Sequence, residues 1–451
     1  MEPPERSIPR RLFALAWPII GLNVLTVLSL AVDTAMCGRL PNAPAVLEAL
    51  GFATQVVFLL MVAMMGLSVG TVAFVSRAHG AGDEERSRHI LHQSTQLTVL
   101  VALAVAVIGN VFAPSILELL GARAEVVELG LDYLRPLLGF TVFYYLNLLY
   151  ASALRGVGNT RLAFSIALAS NGLNVLFNYG LILGNFGLPS LGVQGAAIGT
   201  VLSQAVGTIA FVIFLRRGAV DGMGLPLRPR PIDRELAREL VRVGWPAALD
   251  MVILNAGFLS IIGMLGRLDG TAVAAHGVGL RVQALAFVPG LSVAQATGAM
   301  VGNALGAENP DEARSVVKAS IALCTAIMSA IALVLLVGAG PLVAIFDIAL
   351  HTPLADLSIL WMRLLGAGMP IVGVHIALIG MLRGAGATNS SLWINIVGTT
   401  IQIPLSYLLG FPLGLGPFGV WLAFPLSFVV KMGLGIAAYR RGHWAQTGAT
   451  V

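Results

Sequence analysis

The sequence predicts an all-α polytopic membrane protein with twelve transmembrane helices in two six-helix lobes. Three observations predict it. Of 451 residues, 57% are hydrophobic and only 11% are charged, where a soluble domain carries roughly 25% charged residues. That is too few to build the polar shell of a water-soluble fold. Apolar runs recur along the whole chain, each long enough to cross a hydrocarbon layer of about 30 Å. The second half also repeats the first at an offset of 228 positions.

The runs are bounded by Gly, Pro and charged clusters. The first, 12–38, follows Arg10-Arg11 and stops at Gly38-Arg39, and the second, 47–77, lies between Pro44 and Arg77. The third, 90–113, follows the charged stretch 83–88 and ends before Pro114; the fourth, 130–154, ends before Arg155. The fifth, 160–184, closes on Gly184, and the sixth, 193–216, on Arg216-Arg217. After the basic, Pro-rich stretch 217–237, the seventh, 238–266, ends before Arg267 and the eighth, 272–304, before Gly306. The ninth, 314–338, closes on Gly338, and the tenth, 355–381, runs from Pro353 almost to Arg383. The eleventh, 389–411, stops at Pro412, and the twelfth, 417–440, at Arg440-Arg441. Residues 1–216 are therefore expected to form the N-lobe, 217–237 a cytoplasmic linker, and 238–451 the C-lobe with a short tail.

Charge placement gives the orientation. Twenty of the 27 Lys and Arg residues fall in one set of loops, from Arg6, Arg10 and Arg11 through Arg228 and Arg230 to Arg440 and Arg441. The opposite loops hold only Arg39, Arg123 and Arg267; Arg135, Arg281, Arg363 and Lys431 fall in spans. By the positive-inside rule both termini are expected in the cytoplasm. The net charge of +5 is thus a topology signal, and no nucleic-acid partner is expected. Cys37 and Cys324 are far apart in apolar runs, so neither a disulfide framework nor a cysteine metal site is implied. The polar start, Met1 to Arg11, leads into a retained first span rather than a cleaved signal.

Under the 228 shift, Trp17, Pro18, Met36, Gly38, Arg39 and Leu40 fall on Trp245, Pro246, Met264, Gly266, Arg267 and Leu268. Leu154, Arg155, Gly156, Gly158 and Thr160 fall on Leu382, Arg383, Gly384, Gly386 and Thr388, and Tyr179 on Tyr407. Two halves of six spans share one membrane orientation, a parallel repeat that transporters use to place a site between halves.

Carboxylates inside spans are costly in lipid and mark functional sites, with a structural hydrogen-bond acceptor as the alternative. Only Asp33 and Asp250 lie well inside spans. Asp33 shares a helix face with Thr26 and Ser29. In the fifth span Asn171, Asn174 and Asn178 recur at i, i+3 and i+7, stacking three amides on one face as in a cavity wall, with amide oxygens able to ligate sodium. The repeat pairs Gln55 with Gln283, Asn147 with His375 and Asn174 with Gln402, as two halves facing one aqueous cavity would. Asp33 breaks the symmetry, since it falls on Ile261; so does Asp250, which falls on Leu22. His375 reads either as a packing residue or as a proton relay. Met61, Met64 and Met65, with Phe58, offer an adaptable apolar wall or ordinary filler.

The Arg-Gly-x-Gly-x-Thr stretches at 155–160 and 383–388 follow helices, and neither of the two lysines lies in a Gly-rich loop, so no Walker motif is present. Arg155 and Arg383 are expected to cap helix ends or meet lipid phosphates. No zinc spacing or hydrolytic motif appears.

On these residues the chain resembles the multidrug and toxic compound extrusion (MATE) family over nearly its full length. The resemblance is carried by Trp17-Pro18, "AVDTAMCGRL" (31–40), "LRGVGNT" (154–160), "NYGLILGNFGLPSLGVQGAA" (178–197), "AAHGVGLRVQ" (274–283) and "MLRGAGAT" (381–388). It implies a V-shaped pair of lobes in the bacterial inner membrane. It further implies a monomeric antiporter, not an enzyme, exporting amphipathic, often cationic, small molecules for protons or sodium, with no other cofactor and no bound metal. Asp33 takes the place of the N-lobe coupling carboxylate, Pro18 that of the bending proline, and Asn174, Asn178 and Thr200 match polar positions of the cation or proton site. Asn178 stands where DinF-like members often carry Asp. Leu254 or Asn255, and Val372, stand where NorM-like members carry the acids of a C-lobe sodium site, so that site is expected to be absent, with Asp250 one turn away as an unmatched substitute.

The expected substrate cavity is lined by Gln55, Phe58, Met61, Met65, Asn147, Asn171, Asp250, Gln283, His375 and Gln402. Proton coupling through Asp33 is the leading expectation and sodium coupling through the same site the alternative. A lipid-linked oligosaccharide flippase would need a strongly cationic cavity for pyrophosphate. A membrane enzyme would need a convergent acid, base or metal set, and the sequence offers none.

Overall fold

The computed structural model describes residues 7–220, 222–225 and 231–446, so Arg6, Arg228 and Arg230 of the orientation argument and part of the linker lie outside the described residues. Among the described residues there are fourteen α-helices and no strand: α1 (Ile8–Cys37), α2 (Ala43–Gly80), α3 (Glu84–Leu119), α4 (Ala124–Gly139), α5 (Thr141–Gly156), α6 (Thr160–Leu183), α7 (Gly192–Arg216), α8 (Arg234–Leu268), α9 (Gly270–Gly306), α10 (Pro310–Val337), α11 (Ala339–Ala344), α12 (Pro353–Gly384), α13 (Thr388–Gly410) and α14 (Gly416–Arg441). Eleven are long and apolar enough to cross a membrane alone, and α4 with α5 makes the twelfth span as a broken pair bent by 56°. The single run expected at 130–154 therefore starts earlier and breaks at Phe140, just after Pro136 and Gly139. Pro136 lacks an amide proton, and its ring opposes the carbonyl four residues back. The six-residue α11 between α10 and α12 was not expected from hydropathy.

Side-chain caps fix several helix starts: Asp83 accepts from the Arg86 N–H, Asn159 from Leu162, Asp269 from Thr271, Asn309 from Glu312 and Thr352 from Ala355. Each satisfies one of the orphan donors of a helix's first turn. The repeated Arg-Gly-x-Gly-x-Thr stretch is a helix stop and restart. Gly158 and Gly386 sit at φ 80° and 76°, in the left-handed region where a side chain is strained, and Thr160 and Thr388 open the next helices.

The chain folds as two compact units, Gly21–Trp245 and a second formed by Pro246–Val451 together with the start of the chain up to Ile20. This differs from a division at 217–237. The opening of each half's first helix belongs to the other half's unit. Leu12, Leu15, Ala16 and Ile19 pack with Val293, Ala296, Cys324 and Ala377, and Arg11 pairs with Glu312 at 2.9 Å. Gly244 likewise lies against the Gly66 carbonyl of α2. The second crossing falls within Trp245-Pro246 and the first between Ile20 and Gly21, just after Trp17-Pro18, where a proline interrupts the ladder of helical hydrogen bonds.

The core of the first unit gathers Val46, Leu50, Leu117, Leu134 and Ile182. That of the second is aromatic, built on Trp361, Trp421 and Phe424. The described end of the linker is tied to α3. Gln93 donates to the Pro231 carbonyl and accepts from the Asp233 N–H, and His89 Nε2 lies 3.0 Å from Asp233. The His89 contact, with the Leu236 N–H, holds the Asp233 carboxyl below the usual carboxylate range. Cys37 and Cys324 are both free and buried.

Candidate functional site

In the first unit, α1, α6 and α7 bring together one carboxylate, two amides and two hydroxyls. Asn178 Nδ2 donates to Asp33 Oδ1 at 2.6 Å, a charge-assisted bond to a half-buried carboxylate. Ser29, one turn before Asp33 on α1, donates to Asn174 Oδ1 at 2.9 Å, and Asn174 Nδ2 donates to Thr200 Oγ1 of α7 at 3.2 Å. Asn178 Nδ2 also lies 3.4 Å from Asn174 Oδ1. Four residues expected to act together, Asp33, Asn174, Asn178 and Thr200, thus form one network. Asn171 does not enter it: its amide donates to the Ala167 carbonyl of its own helix at 2.7 Å, and Thr26 bonds to Leu22 in the same way.

The network needs a glycine that the sequence did not single out. A Cβ at Gly199 of α7 would overlap Asn178 Oδ1, so any larger residue pushes the amide off Asp33. Gly199→Ala is expected to destabilise the protein by about 1–3 kcal/mol, the usual cost of overpacking, read as a lowered unfolding temperature in detergent. An unchanged transition would mean that Asn178 is free to move.

Two further partly buried polar side chains of this unit, Asn147 and Gln204, meet between helices. Asn147 of α5 donates to the backbone carbonyl and to Oε1 of Gln204 on α7, at 2.8 and 2.6 Å. Gln55 is exposed, whereas Phe58, Met61 and Met65 are partly buried on α2; Met61 Sδ lies 3.5 Å from the Tyr144 hydroxyl.

The second unit contains a charged network that the sequence did not predict. Asp250 is fully buried and accepts from Arg383 Nη2 at 2.8 Å, Ser391 Oγ at 2.9 Å and Asn395 Nδ2 at 2.6 Å. Arg383 therefore ends α12 on a carboxylate of α8, where a helix cap or lipid contact was expected. Gln402 accepts from Ser427 at 3.2 Å. Gln283 is buried with its Oε1 unpartnered. His375 is buried edge-on to Phe428 with ring centroids 5.3 Å apart. Val372 is fully buried in the apolar core. Of the four basic residues placed in spans, Lys431 is buried at 1% exposure, whereas Arg135, Arg281 and Arg363 are exposed.

The MatE family model matches residues 18–180 and again residues 246–408. The chain belongs to the MatE family. The two matches are the two halves of the 228-residue repeat; they begin on Pro18, three residues before the chain passes from one unit to the other at Gly21, and on Pro246, where it passes back. The "Probable multidrug resistance protein NorM" of Burkholderia pseudomallei is 30% identical over 452 residues, covering 95% of this chain and 94% of that protein. A protein of the same name from Thermotoga maritima is 25% identical over 447 residues, covering 98% and 95%. The MatE fold is shared with a MATE protein solved in complex with MaD3S, at a TM-score of 0.89 and 24% identity over 97% of each chain. It is also shared with an outward-facing multidrug resistance MATE transporter of the MOP superfamily, at 0.87 and 24% over 97% and 95%. As a MatE protein the chain is a membrane transporter and not an enzyme.

Proposed function

We propose that this MatE transporter is a monomeric antiporter of the bacterial cytoplasmic membrane, with both termini inside, that exports amphipathic cationic compounds in exchange for protons through Asp33. The reading is carried by one observation: a half-buried carboxylate inside a span, bonded by Asn178 at 2.6 Å to a network joining three helices. The multidrug resistance names of its relatives support drug-like substrates, and partly buried Phe58, Met61 and Met65 supply adaptable apolar surface for them.

The cycle follows from the charge on Asp33. Ionised, it accepts a strong hydrogen bond from Asn178 and attracts a cation. A proton arriving from outside removes that charge and weakens both interactions, so the protonated unit favours a different arrangement and the cation is released outward. The chain between Pro18 and Gly21 is where α1 can re-angle. Proton loss to the cytoplasm restores the first state. Only a difference in proton and substrate affinity between the two states is required.

Sodium coupling at the same place has one observation in its favour. Asp33, Asn174 Oδ1 and Thr200 Oγ1 supply oxygens of the kind that hard cations take, and turning over the Asn178 amide, whose Oδ1 is buried without a hydrogen-bond partner, adds a fourth. Efflux of a fluorescent cation from proteoliposomes, driven separately by a proton or a sodium gradient, separates the two. The proton gradient alone is expected to drive it. Transport on sodium alone would overturn proton coupling, and no transport on either would overturn antiport.

A further inference from the structure

The described parts of the linker lie as a strap along α3. Met223 is fully buried, and the glycines on either side of it rest on the first turns of that helix. A Cβ at Gly222 would meet Glu84 at 3.4 Å, and one at Gly224 would meet Arg88 at 3.5 Å. Further on, Pro231 and Asp233 are held by one side chain. Gln93 of α3, fully buried, donates to the Pro231 carbonyl at 2.9 Å and accepts from the Asp233 N–H at 3.1 Å. Donor and acceptor of a single amide go to one stretch of backbone, which clasps that stretch to the helix.

A second fastening lies beside the first and carries charge. His89, one turn before Gln93, brings Nε2 to 3.0 Å from Asp233 Oδ2, while Asp233 Oδ1 accepts from the Glu235 and Leu236 N–H groups at the start of α8. One oxygen caps the helix and the other ties it to α3. Both partners are partly exposed, with side chains 28% and 40% accessible, so solution protons reach them. The other charged groups at this end of the surrounding elements are Arg77 and His79 on α2, Glu84, Glu85, Arg86 and Arg88 on α3, Arg155 on α5, and Arg234, Glu235 and Arg238 on α8. Among the described residues none of them pairs with His89 or Asp233, and Arg88 is taken by Glu84.

We propose that His89 and Asp233 form a pH-sensitive latch on the linker strap. With His89 protonated, opposite charges meet and the bond is charge-assisted; with the ring neutral a hydrogen bond remains, roughly half as strong. A histidine makes that change between about pH 5 and 8. Asp233, held below the usual carboxylate range by His89 and the Leu236 N–H, stays ionised throughout. The latch is therefore closed on the acid side and loosens as pH rises. In the orientation proposed above the strap lies in the cytoplasm. It leads into Arg234–Trp245, the part of α8 that runs on into the second unit at Pro246, so cytoplasmic pH sets how firmly the start of that helix is held.

Hydrogen exchange of the purified full chain in detergent, read by mass spectrometry at about pH 6 and about pH 8 and corrected for the intrinsic pH dependence of exchange, tests it. Peptides covering the Asp233, Glu235 and Leu236 amides, which the clasp and cap protect, are expected to lose about threefold in protection at the higher pH, the effect of a partly exposed ion pair. His89→Gln and Asp233→Asn each keep a hydrogen-bonding group and remove one charge, and both are expected to show no such loss. Molar salt is expected to flatten the wild-type difference. The start of α10, capped by Asn309, is expected to be indifferent to pH in all three proteins. Wild-type protection that does not change with pH, a wild-type difference retained in His89→Gln or left intact by molar salt, or an equal change at the start of α10 would overturn the proposal.

Discussion

Asp33→Asn is expected to abolish proton-driven efflux while leaving the protein folded. The replacement is nearly isosteric, and its amide oxygen can still accept from Asn178, which now donates at 2.6 Å. What disappears is the charge. A neutral–neutral hydrogen bond is roughly half as strong as a charge-assisted one, but the variant is also relieved of holding an ionised group in a partly buried position. These effects oppose each other, so the unfolding temperature should move little.

Transport has no such offset. A side chain that cannot exchange a proton cannot alternate between cation-attracting and neutral states, so the two arrangements of the unit no longer differ in proton affinity. Efflux of a fluorescent cation from proteoliposomes under a pH gradient should fall at least about tenfold, the equivalent of about 1.4 kcal/mol or more. Asp33→Glu, which keeps the charge and moves it by one methylene, should keep part of the rate. Full-rate, gradient-driven efflux by a well-folded Asp33→Asn protein would remove Asp33 from the coupling mechanism.

Much of this site was legible because it is written along single helices. Asn174 and Asn178 stand one turn apart on α6, and Ser29 and Asp33 one turn apart on α1. A polar residue repeated every turn inside an apolar run has few explanations other than a polar neighbour. The same periodicity overreached at Asn171, which satisfies itself on its own helix carbonyl, an option that spacing cannot distinguish. The span count came from hydropathy, and the break at Phe140 was lost because a bent pair keeps the hydropathy of a straight helix. The Trp-Pro doublets stood out in the repeat, but that the chain changes units at or just after them is a matter of which residues pack together, which no local pattern records.

Asp250 shows the other limit. Its partner Arg383 lies 133 positions away inside a motif whose glycines explain it as a turn. The repeat held the missing signal: at the positions of Asp250, Ser391 and Asn395 the first half carries Leu22, Ala163 and Ala167, while Arg383 has its counterpart in Arg155. Acceptor and two helper donors are present together in one half and absent together from the other. Arg155 instead donates to Ser152 at 2.6 Å.

That comparison sets the size of the second large effect. Asp250→Leu is expected to destabilise the protein by about 3–5 kcal/mol, the cost of removing one member of a buried ion pair. The loss exceeds that of a hydrogen bond because Arg383, whose side chain is only 20% exposed, keeps its charge with no carboxylate to meet it. Ser391 and Asn395 also lose their acceptor in a buried setting. Adding Arg383→Met removes the stranded charge, and replacing a whole buried pair by apolar groups of similar size is often close to neutral. The double variant should therefore recover most of the loss, and with Ser391→Ala and Asn395→Ala more still, since no buried donor then lacks an acceptor. Thermal unfolding of the single, double and quadruple variants in one detergent measures the series. A double variant no more stable than Asp250→Leu alone would mean that the penalty lies in packing around the introduced leucine and not in the charge left on Arg383.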